Sequence, residues 1–239
     1  VRPAQPPGSA GEQVEEVAPR EQARRGRRFL RVYLALLALA AGLFLTLASL
    51  VRGQDALLRF DYPIERFVQG ITVPGYGWLL TRVSDLGYTP VSQLSYLAVF
   101  VALVAAGKWR AALIGCGSSL AAGLAASLLR QLIERPRPDE TLVNVARQIV
   151  GYGFPSGHVT QYVTLFGFCI YLVLTGWRGG VPRALLLTCL GLLVVLVGPS
   201  RVYLGAHWPS DTVGAYLFGG VWLAVSIELH LMVERRLRR

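Results

Sequence analysis

Ser200-Arg201-Val202-Tyr203-Leu204-Gly205-Ala206-His207-Trp208-Pro209-Ser210-Asp211 places an arginine, a histidine and an aspartate in twelve residues between two apolar runs, 184–198 and 212–233. Charged groups are costly beside hydrocarbon, so where they interrupt such runs they mark function by default. The flanking runs read as membrane helices and the polar stretch as the turn that joins them. This decides the fold class: a helical bundle in a membrane, with its chemistry at the helix ends.

Composition agrees. The chain has 239 residues, 53% of them hydrophobic, and a mean hydropathy of +0.46, too apolar for an ordinary soluble domain. The net charge of +10 does not form one basic face; its arginines gather at the ends of apolar runs, which argues for membrane topology and against a nucleic-acid partner. Cys116, Cys169 and Cys189 lie inside apolar runs without CxxC or Cys/His spacing, so they read as small buried hydrophobes and offer neither a disulfide framework nor a zinc site.

Taken in order, residues 1–28 are rich in proline, glycine, glutamate and arginine and are expected to form a disordered basic cytoplasmic tail. The run 29–51 follows Arg24-Arg25-Gly26-Arg27-Arg28 and is long enough to cross the hydrocarbon core, so it reads as a retained first span rather than a cleaved leader. Residues 52–90 mix charged and apolar side chains between Pro63, Pro74 and Pro90, and are expected to be an external amphipathic segment lying along the interface, shaping the lipid or headgroup entrance. Five more spans are expected at 91–107, 111–133, 159–176, 184–198 and 212–233. The third is mostly Gly, Ala and Ser from 115 to 126, a composition that permits close backbone approach inside a bundle.

The expectation is therefore an all-α integral membrane bundle of six transmembrane helices over 29–233, with an interfacial segment between the first and second and a basic cytoplasmic tail at 234–239. With six crossings, the basic clusters at 24–28, 108–110, 178–183 and 235–239 share the cytoplasmic side, as positive-inside topology requires. The segments 52–90, 134–158 and 199–211 then face outward.

Three polar clusters lie in or beside the last two of these. Arg130 sits inside the third span and needs an anionic partner, while Pro136 and Pro138 fix the turn that carries Arg137. Arg135, at the helix end, reads more simply as a side chain reaching to the headgroups. Gly151-Tyr152-Gly153-Phe154-Pro155-Ser156-Gly157-His158 leads into the fourth span. Ser156 is either a plain N-cap or, with the free N–H groups of that turn, part of an anion site. His158 at that edge is a candidate acid titrating near neutral pH. In the third cluster Asp211 follows His207 by four, so its carboxylate can hold one imidazole nitrogen and leave the other free as nucleophile or base.

Arg130 with six residues before Arg137-Pro138, then Pro155-Ser156-Gly157-His158, then Ser200-Arg201 with five residues before His207 and three more before Asp211, resembles the three-part signature of the type-2 phosphatidic acid phosphatase superfamily. That superfamily includes lipid phosphate phosphatases, undecaprenyl diphosphate phosphatases, glucose-6-phosphatase and vanadium haloperoxidases. One departure is Arg130, where the family's first motif opens with lysine; a planar fork replaces a point donor.

The resemblance implies a catalytic set of His207 as nucleophile forming a phosphohistidine, Asp211 orienting it and His158 protonating the leaving group. It implies a phosphate-binding set of Arg130, Arg137, Ser156, the backbone N–H of Gly157 and Arg201. Phosphoryl transfer needs positioning and charge compensation above all. Three arginines supply the charge and the sequence shows no dense carboxylate cluster, so no metal and no cofactor is expected. The expected partners are a membrane and a lipid phosphate or lipid diphosphate, such as undecaprenyl diphosphate, phosphatidic acid or phosphatidylglycerol phosphate. The expected setting is a bacterial plasma membrane with cytoplasmic termini and the site at the outer face. A lipid phosphotransferase would use the same site, and a transporter or scaffold with a residual anion site is the reading from another class.

Overall fold

A computed structural model describes residues 10–52 and 55–237. Every regular element among them is helical: α1 (Ala10–Arg52), α2 (Asp55–Gln69), α3 (Tyr76–Asp85), α4 (Val91–Ala105), α5 (Trp109–Ile133), α6 (Gly157–Gln161), a π-helical turn (Tyr162–Phe166), α7 (Gly167–Gly176), α8 (Val181–Tyr203) and α9 (Pro209–Leu237). Five stretches are long and apolar enough to cross a membrane: Arg24–Arg52, Trp109–Ile133, Gly157–Gly176, Val181–Tyr203 and Pro209–Leu237. A sixth apolar helix, α4, is shorter. Leucines such as Leu124, Leu128 and Leu132 along α5 are exposed, an apolar exterior that water would not tolerate on this scale.

The chain divides into two compact units, Val1–Leu39 and Ala40–Arg239. In the first, the described part is the beginning of α1, where Phe29 and Tyr33 stack at 6.4 Å. Helix starts at Ala10, not after a disordered tail ending at 28, because a helix already nucleated in the apolar run propagates outward at little further cost. Residues 1–9 of that expected tail, and 238–239 of the expected basic tail, lie outside the described residues; α9 continues as helix to Leu237.

In the second unit, α5 buries Ala112, Gly115, Cys116, Ser119, Ala122 and Ala126, a stripe at helical spacing. A Cβ on Gly115 would stand 2.5 Å from the Phe168 ring, so the missing side chain lets that ring pack directly on the α5 backbone. The main core joins Val83, Cys116, Val159, Tyr162, Val163, Leu165, Phe166, Val197 and Ala215. Val159 adjoins His158, Val197 precedes Arg201 by four and Ala215 follows Asp211 by four, so this core underlies the three polar clusters and fixes their heights. A second core packs Phe44 and Val51 of α1 on Phe154. Of the cysteines, Cys116 is buried, Cys169 half-buried and Cys189 exposed on the apolar face of α8, which corrects the expectation that all three are buried.

Two boundaries differ from the sequence reading. Helix α8 runs through Pro199 to Tyr203, so Arg201 lies in its last turn and not in a loop. Proline leaves the carbonyl four residues back without its N–H; here the Tyr216 hydroxyl stands 3.0 Å from that Val195 carbonyl and 2.7 Å from Val194. The segment 52–90 forms two helices, α2 and α3, and α3 packs along α8.

Candidate active site

Helix direction alternates along the chain, so the C-terminal ends of α5 and α8 and the N-terminal ends of α6 and α9 meet at one end of the bundle. A cavity of about 450 Å³ opens there, lined by Arg130, Arg137, Gly157, His158, Arg201 and His207 together with Tyr88. The three sequence clusters thus converge on one space. A second cavity of about 420 Å³, at the opposite end beside Lys108, Arg110 and His230, contains none of their residues.

Arg201 is fully buried, with Nη1 donating to Ser84 Oγ at 2.6 Å and Tyr88 Oη at 2.8 Å, while its Nε has no protein partner. Its guanidinium also stands 5.1 Å above the Tyr88 ring, and the edge of His158 meets that ring at 4.6 Å. Arg137 donates from Nε to Gly151 O at 3.1 Å and from Nη1 to Ala206 O at 2.6 Å. Burial and the neighbouring Arg201 and Arg130 bring its guanidinium down to about 10, which still leaves it cationic at neutral pH. Arg130 donates to Pro155 O at 3.2 Å and lies against Gly157, where a Cβ would come within 3.2 Å of Nη1. Three cations around one cavity, none with a carboxylate ion pair among the described residues, define an anion site.

His207 is read from its neighbours. Arg137 Nη1 lies 3.0 Å from His207 Nε2, and since a guanidinium only donates, Nε2 carries the lone pair. The proton is therefore on Nδ1, which faces Asp211 Oδ2 at 3.5 Å. Burial, then the Arg137, Arg201 and Arg130 guanidiniums, hold the imidazole well below its ordinary range, so it is neutral at pH 7. Ser156 is fully buried, and its Oγ makes neither a capping hydrogen bond nor any other, so the plain N-cap reading does not describe it. His158 Nε2 is likewise buried without a partner. Buried polar atoms are normally satisfied, and here Ser156 Oγ, His158 Nε2, Arg201 Nε and His207 Nδ1, all members of the three clusters, make no hydrogen bond among the described residues.

Several residues the sequence reading passed over stand behind the site. Arg135 does not reach to headgroups: it is 3% exposed and ion-paired to Asp211 and, at 2.5 Å, to Asp61. The segment 52–90 supplies Asp61 to Arg135 and both Ser84 and Tyr88 to Arg201, a supporting role beyond the entrance role expected of it. Glu65, one turn after Asp61, is fully buried with both oxygens unpartnered. Desolvation first, then Asp211 and Asp61, raise its carboxyl from 4.5 to about 9 against the opposing pull of Arg135, so it is a neutral acid at pH 7.

A raised folded-state carboxyl binds a proton on folding, so Glu65 costs stability progressively as pH rises from about 4.5 toward 9. Glu65→Gln cannot ionise. Melting in detergent should show the variant gaining on the parent between pH 5 and 8, by at most about 1.4 kcal/mol per pH unit; parallel curves would contradict the assignment.

The PAP2 superfamily model matches residues 111–235, more than half of the chain. The chain belongs to the PAP2 superfamily. Among PAP2-type relatives it is similar to phosphatidylglycerophosphatase B of Bacillus subtilis, 28% identical over 183 residues that cover 74% of this chain and 85% of the relative. It is also similar to the lipid A 1-phosphatase of Rhizobium johnstonii, 28% identical over 203 residues, 77% of this chain and 78% of that one. Its fold resembles the crystal structure of a transmembrane PAP2-type phosphatidylglycerolphosphate phosphatase from Bacillus subtilis, with a TM-score of 0.70 and 22% identity over 82% of this chain and 96% of that one. Five apolar helices of spanning length and this PAP2 membrane fold make the chain an integral membrane protein.

Proposed function

We propose that this chain is a membrane lipid phosphatase that cleaves a phosphomonoester or diphosphate from a lipid through a phosphohistidine on His207. The chain is a phosphatase-type hydrolase of the PAP2 superfamily; the substrate and route are the proposal. What carries it is the convergence of three arginines and a neutral histidine with its lone pair on Nε2 around one cavity.

In this reading Arg130, Arg137, Arg201, Ser156 and the Gly157 N–H hold the phosphoryl oxygens and compensate charge as the transition state spreads it outward. Nε2 of His207 forms a bond to phosphorus while the bond to the leaving oxygen breaks, and His158 gives that oxygen a proton. For a diphosphate the leaving group is the lipid monophosphate. Water then attacks phosphorus, His158 takes a proton from it, and the phosphorus–Nε2 bond breaks to release phosphate. Asp211 holds Nδ1–H throughout and stabilises the imidazolium of the phosphorylated state. No step requires a metal.

The six-span arrangement takes α4 as the remaining crossing: its fifteen residues rise about 22 Å, and the flanking turns at Pro90 and Gly107 make up the rest of the span. In that arrangement α2 and α3 lie along the interface, the termini are cytoplasmic and the site is at the outer face, where a lipid keeps its chains in the bilayer while its phosphate enters between helices. Cysteine labelling beside Ser156 in intact cells tests this; modification from the cytoplasmic side alone would overturn it.

Phosphatidylglycerol phosphate, phosphatidic acid and undecaprenyl diphosphate compared under one detergent condition would rank the substrates. Release from none of them, with release from a soluble phosphate ester, would contradict the lipid assignment. The acid role of His158 has its own test at Gly87, where a Cβ would fall 2.1 Å from His158 Cδ2. Gly87→Ala must push that ring aside, and a misplacement of about 1 Å costs roughly 10²-fold. The loss should be large for an alkyl phosphate and small for p-nitrophenyl phosphate, whose leaving group needs no proton; equal losses would remove His158 from that role.

A further inference from the structure

Arg135 binds two carboxylates at once. Its Nη2 meets Asp61 Oδ2 at 2.5 Å and its Nη1 pairs with Asp211 Oδ1, with none of the three side chains more than 3% exposed. Ser210 completes the knot, receiving Arg135 Nη1 on Oγ at 2.6 Å and donating to Asp61 from N at 2.8 Å and from Oγ at 2.6 Å. This leaves Asp211 Oδ2 to the Trp208 N–H at 3.0 Å and to His207 Nδ1 at 3.5 Å. One oxygen of Asp211 is therefore fixed from behind, and the other is held by the Trp208 N–H within 3.5 Å of His207 Nδ1.

The element behind is α2, which carries none of the three sequence clusters. It reaches Ser210 across 149 positions of chain. A buried ion triad contributes little net stability, because desolvation offsets the attraction; its distinctive effect is to permit a single rotamer of Asp211.

We infer that Asp61 on α2, acting through Arg135, is a positioning residue for the nucleophilic imidazole of His207, so that α2 sets the reactivity of the site as well as flanking it. The inference rests on the reading of His207 as nucleophile. A positioning residue improves the attack and not the capture of phosphate, so it acts on kcat, whereas the three arginines act on binding as well.

The test is a double-mutant cycle on the full chain in detergent, with phosphatidic acid in mixed micelles and single-turnover rates for the slow variants. Asp61→Asn alone should lower kcat tenfold or more with KM within twofold of the parent. In an Asp211→Asn background, the same change should lower the rate less than twofold, because the group through which Asp61 acts is already lost. A parent-like kcat in Asp61→Asn, or an equal fold-loss in both backgrounds, overturns the inference; the latter is the signature of a merely structural role. Should Asp61→Asn not fold, Arg135→Lys, which keeps the charge but cannot hold both carboxylates in one planar fork, should show the same loss in kcat, and a parent-like kcat there also overturns it. His207→Ala runs beside them: activity surviving that change refutes the nucleophile reading itself, independently of what Asp61 does.

Discussion

His207→Ala is expected to abolish multiple-turnover phosphate release from a lipid phosphate, a loss of at least about 10⁴-fold in kcat by comparison with removal of a covalent nucleophile elsewhere. The argument is local. His207 Nε2 carries its lone pair because Arg137 donates to it, and burial among guanidiniums keeps the ring neutral, so no proton need be removed before attack. Alanine removes that atom and leaves the anion site around it. The variant should therefore still bind inorganic phosphate as the parent does, within a fewfold, while releasing none from a lipid. Melting in detergent separates this from unfolding, since His207 contributes a ring at the cavity wall and no part of the main core.

Arg201→Ala is expected to cost about 10²–10³-fold in kcat/KM, the usual penalty for removing one preorganised group that stabilises transition-state charge. Arg201 is the most deeply buried of the three cavity arginines, and Ser84 and Tyr88 hold one of its nitrogens so that Nε remains unpartnered. Its loss should weaken vanadate, a mimic of five-coordinate phosphorus, roughly in parallel with kcat/KM. Arg201→Lys restores the charge without the planar fork and should recover only part of the activity. Full recovery by lysine would mean that charge alone matters at this position; unchanged vanadate affinity in the alanine variant would remove Arg201 from the phosphate site.

Much of this layout is legible in the chain itself. Apolar runs separated by polar clusters announce the membrane bundle, and alternation of helix direction brings Arg130, Arg137, His158, Arg201 and His207 to one end before any coordinate is known. The supporting residues are not legible in that way. Asp61 lies 149 positions from Ser210, and Ser84 and Tyr88 lie 117 and 113 from Arg201, so only tertiary packing pairs them. One signal was available: Asp61 and Glu65 stand four apart and therefore on one face of a helix, a costly pair to bury without a cation, and Arg135 is the arginine the motifs leave over. Local rules also mislead at Pro199, where a proline suggests a helix end, but Tyr216 replaces the lost donor and the helix carries Arg201 one turn further.

The central claim is that phosphorus becomes bonded to His207. Rapid-quench labelling with a phosphatidic acid carrying radioactive phosphate measures this directly, with the label located by peptide mapping under alkaline conditions that preserve phosphohistidine. The account predicts a transient covalent label on the peptide containing His207, formed no more slowly than the enzyme turns over and missing in His207→Ala. Label on another residue, or steady phosphate release with no protein-bound phosphate at any quench time shorter than one turnover, would contradict it.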